Sequence, residues 1–354
     1  MKIKPMTKFA ILALSLVLVA CAGGGSEEAG CPAIDGREIN VVATTPMIGE
    51  FVSQVGGENI NLTVLMPPEA NPHTYEPAPQ DAGTIAEADL VFYTGLLYEP
   101  AALVKLLENS ACSTDILSEV GESVFPIEFK EGGHDDHDDH DDHDDEEGHD
   151  DHDDEEGHDD EEGHDDEEGH DDHEGHNHGA YDPHFWFDPS RVAYAAEYIE
   201  SRLIQFDPEN ESSYISSADS FVSELNDLTK QVSELISTVP SQNRKLITTH
   251  ESLGYLEAKF GLEVLSTIIP SLNSANEISP SDLAGVIDVI EDNNVKVIFI
   301  ESEAPSVYSE TIVAETGIKP VTGLYVETLK PGQSYSEFLI SNVTLITENL
   351  QDTD

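Results

Sequence analysis

Residues 38–46 have the sequence EINVVATTP, a short apolar β run followed at once by a helix start. A threonine before a helix can accept a free backbone N–H, and proline is tolerated in the first turn because its nitrogen needs no partner there. Similar strand and helix segments alternate through residues 60–116 and again through 245–347. This alternation predicts an α/β fold with parallel sheets and helices on their faces.

A long helical segment separates the two groups of alternating elements. Residues 190–239 are predicted to be helical, with a break at Asp207-Pro208. The second part, Glu209 to Thr238, has apolar residues at a spacing close to the 3.6-residue period of a helix. It would be over roughly 40 Å long at about 1.5 Å per residue, which is too long for a simple crossover between strands. Such a helix could span two domains.

The N-terminus has the pattern of a targeting signal. Three lysines precede or adjoin an apolar run of 12 residues, Phe9–Ala20, which is too short to span a bilayer. Residues 1–20 are therefore predicted to be a signal peptide. The sequence LVAC at 18–21 resembles a bacterial lipobox, which implies cleavage before Cys21 and a lipid on that cysteine; the alternative is an ordinary signal peptide in which the cysteine is incidental. Residues 21–36, which begin CAGGGSEE, are predicted to be the lipidated N-terminus and a flexible tether.

Two further cysteines, Cys31 and Cys112, remain in what would be an oxidising compartment. Such a compartment favours a disulfide between them, and two free buried thiols are the alternative. The sequence does not give their separation in space, on which a disulfide depends.

The chain of 354 residues carries a formal net charge of −58. Residues 134–178 contain 27 of the 73 acidic residues and no lysine or arginine, and the other 46 acids (73 less 27) still outnumber the 15 basic residues. Because so acidic a chain repels the phosphate backbone, nucleic acid is excluded as a partner. Cations are suited as partners, and a solvated acidic surface adapted to a salty medium is the alternative explanation.

Residues 134–178 also lack any apolar side chain, and the unit EEGHDD recurs at 146, 155, 161 and 167. Such a segment cannot bury enough surface to order itself, so we predict a disordered insertion with outer limits 131–179. Its imidazoles and carboxylates can chelate zinc weakly and raise the local cation concentration, which predicts auxiliary metal capture; a solvated linker with incidental metal affinity is the alternative. The twelve histidines are His134, His137, His140, His143, His149, His152, His158, His164, His170, His173, His176 and His178.

Only three of the 15 histidines lie in sequence that can fold, namely His73, His184 and His250. His73 follows the second predicted strand, His250 ends a later one, and His184 lies in a loop that leads into a helix. Ligands of open α/β sheets bind outside the carboxyl ends of strands, and three imidazoles leave one position in a tetrahedral zinc shell. A carboxylate could fill that position. Glu301 and Glu327 both follow apolar β runs, so the pattern alone does not separate them.

Four motifs carry a resemblance to a known family. They are NPHTYEP at 71–77, DPHFW at 182–186, THESLGY at 249–255 and YSEFL at 335–339. Together they resemble the metal-binding lipoproteins of zinc and manganese ABC importers, the cluster A-I solute-binding proteins, over about residues 39–346. The resemblance implies two α/β lobes joined by one long rigid helix, with the metal between the lobes. The implied domains are an N-terminal lobe at 37–205, a linking helix at 206–239 and a C-terminal lobe at 240–354.

The same resemblance implies a set of metal ligands. The first three family ligands fall on His73, His184 and His250, and the fourth, usually Asp, falls on Glu327, with Glu301 as runner-up. The family's manganese members carry a carboxylate at the third position, so His250 points to zinc, in line with its softer nitrogen ligation. A His-rich insertion before the second ligand is likewise a feature of zinc importers.

The expected function is therefore extracytoplasmic capture of Zn(II) and its delivery to an ABC permease with its ATPase, by a protein anchored to the membrane through a lipid on Cys21. The alternatives are a surface zinc buffer or adhesin and a manganese-type importer protein. An enzyme is not expected, because the sequence has no His-Glu-x-x-His motif and four protein ligands would close the metal shell.

Overall fold

A computed structural model describes residues 31, 34, 36–129, 181–303 and 307–351. The predicted signal peptide, the lipidated Cys21 and the twelve histidines of the insertion lie outside these described residues. Within the described residues, no helix is both long and apolar enough to cross a membrane.

The first lobe is built around a four-stranded parallel sheet in the order β2-β1-β3-β4. Its strands are β1 (Ile39–Ala43), β2 (Ile60–Val64), β3 (Leu90–Tyr93) and β4 (Leu117–Glu119), and its first helices are α1 (Pro46–Gly56), α2 (Pro79–Ala86) and α3 (Ala101–Ser110). As expected, the Thr45 side chain accepts the N–H of Ile48 at 3.2 Å and Pro46 opens α1. A disulfide joins Cys31 to Cys112, just after α3.

The second lobe repeats this architecture, with a parallel sheet in the order β6-β5-β7-β8. Its strands are β5 (Lys245–His250), β6 (Glu263–Ile269), β7 (Val297–Glu301) and β8 (Lys319–Leu324), and its helices are α6 (Gly254–Phe260), α7 (Pro280–Asp292), α8 (Val307–Thr316) and α9 (Tyr335–Gln351). Two parallel sheets covered by helices confirm the predicted α/β class.

The long helical segment consists of α4 (Pro189–Phe206) and α5 (Glu211–Ser237). The break between the two helices lies where it was predicted. There the Asp207 side chain accepts hydrogen bonds from Tyr214 and Asn210, and a short 3-10 turn follows. At about 1.5 Å per residue, the 27 residues of α5 span roughly 40 Å. This helix packs on α1 and α4 of the first lobe and on α9 of the second. The domain boundaries themselves stay predictions.

One aromatic residue shows how the lobes share a core. Phe51 of α1 lies with its ring centroid 6.3 Å from that of Phe221 on α5 and 5.2 Å from that of Tyr335 on α9. All three rings are buried. Buried aromatic pairs of this kind contribute both apolar area and favourable edge contacts, so α5 is held firmly against both lobes.

Strand β8 ends earlier than the sequence suggested. The β run that precedes Glu327 in the sequence, residues 320–326, predicts a strand as far as Val326, but the strand ends at Leu324, after Gly323 with a φ of 95°. The backbone of Tyr325 is then bonded by the Asn342 side chain, which accepts its N–H at 3.1 Å and donates to its carbonyl at 2.6 Å. The chain therefore leaves the sheet in a fixed direction just before Glu327.

Candidate metal centre

Four sequence-predicted residues meet where the two lobes face each other. His73 lies in a 3-10 turn (Pro72–Thr74) after β2, and His184 lies in the loop before α4. His250 is the last residue of β5, and Glu327 follows β8. Each lobe thus supplies two of the four side chains, from loops and strand ends at the same edges of the sheets.

The ligand atoms of these residues all lie within 4.8 Å of one another. Glu327 Oε1 is 2.9 Å from His73 Nε2 and 2.9 Å from His250 Nε2, and Glu327 Oε2 is 3.5 Å from His184 Nε2. The structure therefore brings Glu327, and not Glu301, into the group of candidate ligand atoms.

The centre is shielded from solvent. The side chains of His184, His250 and Glu327 have 0% exposure, and that of His73 has 4%. The Nε2 atoms of His184 and His250 make no hydrogen bond of normal geometry, although oxygens of the Glu327 carboxylate lie 3.5 and 2.9 Å from them. Buried polar atoms are rarely left without a partner, because the loss of water is then uncompensated. A divalent metal ion between the rings would give both nitrogens a partner, and three imidazoles with one carboxylate suit such an ion.

The rings of His184 and His250 are each oriented by a carboxylate other than Glu327. Asp182 Oδ1 lies 2.8 Å from His184 Nδ1, and Glu301 Oε2 is hydrogen-bonded to His250 Nδ1. Glu301 Oε1 also accepts the backbone N–H of His250 at 3.2 Å and the hydroxyl of Ser252 at 3.2 Å. With Nδ1 held in this way, Nε2 of each ring faces the centre, as is usual for metal-binding histidines. Glu301 therefore supports a candidate ligand, the role expected if Glu327 is the fourth.

Three residues that sequence reasoning missed hold Glu327 in place. The Tyr98 hydroxyl lies 2.9 Å from Glu327 Oε2 and 3.0 Å from its backbone carbonyl oxygen. Trp186 Nε1 donates to the Val326 carbonyl at 2.8 Å, and Glu303 Oε1 accepts the N–H groups of Val326 and Glu327 at 3.2 and 3.3 Å. Tyr98 follows β3, so the strand-end pattern that indicated the histidines could also have found it.

The electrostatics of the centre are those of coupled opposite charges. Burial lowers the pKa of His184, but Glu327 and Asp182 raise it to about 9. Burial also opposes the charged form of His250, yet Glu301 and Glu327 hold its pKa well above the usual value. Burial favours the neutral form of Glu327, but the three imidazoles keep its pKa well below normal. Metal binding must therefore displace protons from the rings of His184 and His250.

Comparisons with known proteins identify the family of this chain. Residues 41–349 match the family model described as zinc-uptake complex component A, periplasmic. The chain is 27% identical to the high-affinity zinc uptake system protein of Bacillus subtilis, over 97% of this chain and 96% of that protein. It is 25% identical to a manganese ABC transporter substrate-binding lipoprotein of Streptococcus anginosus, over 98% and 99% of the two chains.

Solved structures show the same fold. The periplasmic zinc binding protein of Treponema pallidum superposes with a TM-score of 0.70 at 20% identity, covering 88% of this chain and 99% of that one. An Fe(III)-bound protein of Chlamydia trachomatis superposes with a TM-score of 0.69 at 24% identity, covering 88% and 98%. Because the family match covers most of the chain, the protein belongs to the family of zinc-uptake complex component A, the non-enzymatic metal-binding proteins of ABC importers.

Proposed function

We propose that this protein captures Zn(II) with His73, His184, His250 and Glu327 and delivers it to an ABC permease that works with an ATPase. The observation that carries the proposal is the convergence of three imidazoles and one carboxylate, in which the buried Nε2 atoms of His184 and His250 make no hydrogen bond of normal geometry. Four protein ligands of this type match the tetrahedral nitrogen and oxygen shell that zinc adopts.

Zinc is proposed over manganese because of the donor atoms. Manganese favours carboxylate, carbonyl and water oxygens, whereas imidazole nitrogen suits zinc. By the family resemblance, His250 falls at the position at which the manganese members carry a carboxylate. The names of relatives include both metals, a zinc uptake protein in Bacillus subtilis and a manganese-binding lipoprotein in Halalkalibacterium halodurans, so the proposal depends on the chemistry of this site.

The position of the ligands supports the proposed delivery to a permease. Two come from each lobe and their side chains are buried, so a bound ion leaves only when the lobes or their loops separate. A transporter that binds both lobes could cause such a separation. Burial inside the protein would keep the metal from exchanging freely before it reaches the permease.

The lipid anchor and the His-rich insertion complete the proposal. A lipid on Cys21 would hold the protein at the outer face of the membrane, beside the permease. The described residues that flank the insertion, Glu128 and Tyr181, form an antiparallel bridge, and Tyr181 lies three positions before His184. The described chain that follows the insertion thus leads within three residues to a candidate ligand, which supports the proposal that the twelve histidines capture zinc for the centre.

Metal titration of the metal-free full chain tests this function. Each metal is titrated in competition with a chelator whose affinity for that metal is known. Relative to the chelator, we expect the protein to favour zinc over manganese, nickel and copper. His184→Ala should lower zinc affinity by orders of magnitude. Tighter binding of manganese, or unchanged zinc affinity in His184→Ala, would contradict the proposal.

A surface zinc buffer without a transporter is the second candidate, favoured by the twelve histidines of the insertion. Growth in zinc-depleted medium separates the two functions. An importer protein and its permease should give the same growth defect when either is deleted, whereas a buffer should be dispensable when the permease is present.

A further inference from the structure

Asn71 lies at the contact between the two lobes, two residues before His73. Its Oδ1 accepts the backbone N–H of His73 at 2.9 Å. Its Nδ2 lies 3.0 Å from the hydroxyl of Ser274 and 3.3 Å from the carbonyl oxygen of Glu303, both in the second lobe. A backbone N–H only donates and a carbonyl only accepts, so these partners fix which end of the amide is which.

The Ser274 contact leads to the segment that carries His250. Ser274 is buried in the loop after β6, and Ser271 of the same loop accepts the backbone N–H of Glu251 at 3.0 Å. The loop is internally bonded, because the Ser271 hydroxyl accepts the N–H of Asn273 at 3.0 Å. A hydrogen bond to Ser274 therefore connects Asn71 to the loop that is bonded to Glu251, the residue next to His250.

The Glu303 contact leads to the segment that carries Glu327. The backbone carbonyl of Glu303 accepts a hydrogen bond from Asn71, and the side-chain Oε1 of Glu303 accepts the N–H groups of Val326 and Glu327. Asn71 thus reaches the supports of His73, His250 and Glu327 through one carboxamide. Two of these supports lie across the lobe interface from it.

We propose that Asn71 is a positioning residue that couples closure of the lobes to the placement of three metal ligands. This inference rests on the proposed function of the site. The side-chain oxygen of Asn71 holds the backbone of His73. Its side-chain nitrogen binds Ser274 and Glu303, which support His250 and Glu327, only when the lobes are together. Parting of the lobes breaks both nitrogen contacts and releases the three ligands from their shared geometry.

A kinetic signature follows from this arrangement. The nitrogen contacts exist only in the closed form, so their loss makes opening easier without changing how metal enters the open form. Removing them should therefore raise the rate of metal release and leave the rate of association unchanged. A residue with a merely structural role would lower thermal stability without this division between the two rates.

Asn71→Asp is the informative variant, because it keeps an oxygen for the His73 N–H but removes both N–H donors. Ser274→Ala removes a single acceptor and leaves Asn71 in place. The full chain is loaded with an equimolar amount of zinc, and release to excess chromogenic chelator is followed by stopped flow, the slow phase reporting the tight site. We expect Asn71→Asp to release zinc about 10-fold to 100-fold faster, with a smaller increase for Ser274→Ala.

Asn59→Asp is the matched control, since Asn59 Nδ2 donates to the Ser213 hydroxyl at 2.8 Å, away from the metal centre. This control should release zinc at the parent rate. The combined Asn71→Asp and Ser274→Ala variant should release zinc no faster than Asn71→Asp alone, because Asn71→Asp already removes the N–H donor that Ser274 accepts. Melting of the metal-free variants establishes that each is folded.

Release at the parent rate in both Asn71→Asp and Ser274→Ala would overturn the inference, as would an equal acceleration in Asn59→Asp. A fall in the association rate that matches the rise in release would overturn it as well. Tight binding of zinc by the parent tests the proposed function, whereas the ratio of release rates tests Asn71. The two can therefore fail separately.

Discussion

The hydroxyl of Tyr98, in the first lobe, is hydrogen-bonded to the Oε2 carboxylate oxygen of Glu327, in the second, at 2.9 Å. The other oxygen of this carboxylate, Oε1, faces the imidazoles of His73 and His250 at 2.9 Å each. Oε2 is thus held by a hydroxyl of the opposite lobe while it also lies 3.5 Å from His184 Nε2, and Oε1 faces only the imidazoles of His73 and His250. This favours a Glu327 that binds metal through one oxygen, as a four-coordinate zinc shell requires.

Tyr98→Phe should weaken zinc binding about 10-fold to 100-fold, because it removes a hydrogen bond to a charged group that supports a ligand. Competition with a chelator of known zinc affinity measures the change. Tyr214→Phe is the matched control, since it removes a tyrosine bond of 2.6 Å to Asp207 at the start of α5. The control should lower the melting temperature and leave zinc affinity unaltered. Equal zinc affinities in Tyr98→Phe and the parent would refute the role of Tyr98.

The two glutamates that the sequence could not separate should differ sharply in their effects. Glu327→Gln removes the only carboxylate among the candidate ligand atoms, so zinc affinity should fall by orders of magnitude. Glu301→Gln leaves that group intact and alters the hydrogen bond to His250 Nδ1, so its affinity should fall only about 10-fold to 100-fold. Isothermal titration of both variants provides the comparison. A larger loss in Glu301→Gln would move the fourth ligand to Glu301.

The elements of the fold could be predicted because their signals are local. Thr45-Pro46 begins a helix in the structure as predicted, Asp188-Pro189 begins another, and both caps need only neighbouring residues. The break at Asp207 is likewise local, since its partners lie within seven residues. The three histidines could be identified because the rest of the foldable sequence contains none.

The supports of the site could not be predicted, because they depend on how the lobes meet. Tyr98 and Glu327 are 229 positions apart, and Asn71 and Ser274 are 203 apart, so no periodicity in the sequence relates them. For the same reason the residue pattern alone did not separate Glu301 from Glu327, and only the family resemblance favoured Glu327. The placement of Glu327 depends on the direction in which the chain leaves β8, which Gly323 and the Asn342 side chain determine together.

Deletion of residues 134–178 should leave the tight site intact, because these residues have no apolar side chain with which to join a core. The bridge between Glu128 and Tyr181 already brings the flanking chain ends together. We expect the stoichiometry of zinc to drop from several ions per chain toward one, as measured by equilibrium dialysis. The melting temperature of the zinc-loaded protein should be unchanged. A large fall in that temperature would contradict the prediction.

Zinc binding at neutral pH should release protons. The pKa of His184 in the metal-free protein is raised to about 9 and that of His250 well above its usual value, so both rings are protonated at pH 7. Zinc binds only neutral imidazole, so each ring must lose its proton. Calorimetry in buffers of different ionisation enthalpy measures this release. We expect the apparent affinity for zinc to rise with pH up to about 9, and the proton release from His184 to disappear above that pH. Zinc binding without proton release at pH 7 would contradict this prediction, because it would mean that the rings are neutral before zinc binds.

The same charges set the pH dependence of the metal-free fold. A pKa raised by folding means that the stabilising contribution of His184 is complete below its unfolded value of 6.5 and is lost as pH rises through about 9. The lowered pKa of Glu327 gives the opposite sign, since its contribution is present above 4.5 and is lost as pH falls through the folded value. Melting of the metal-free protein from pH 5 to 10 should therefore show a loss of stability near pH 9. Asp182→Asn removes one of the charges that hold the His184 proton, so this loss should move to lower pH. Unchanged stability of the metal-free protein through pH 9 would contradict this prediction.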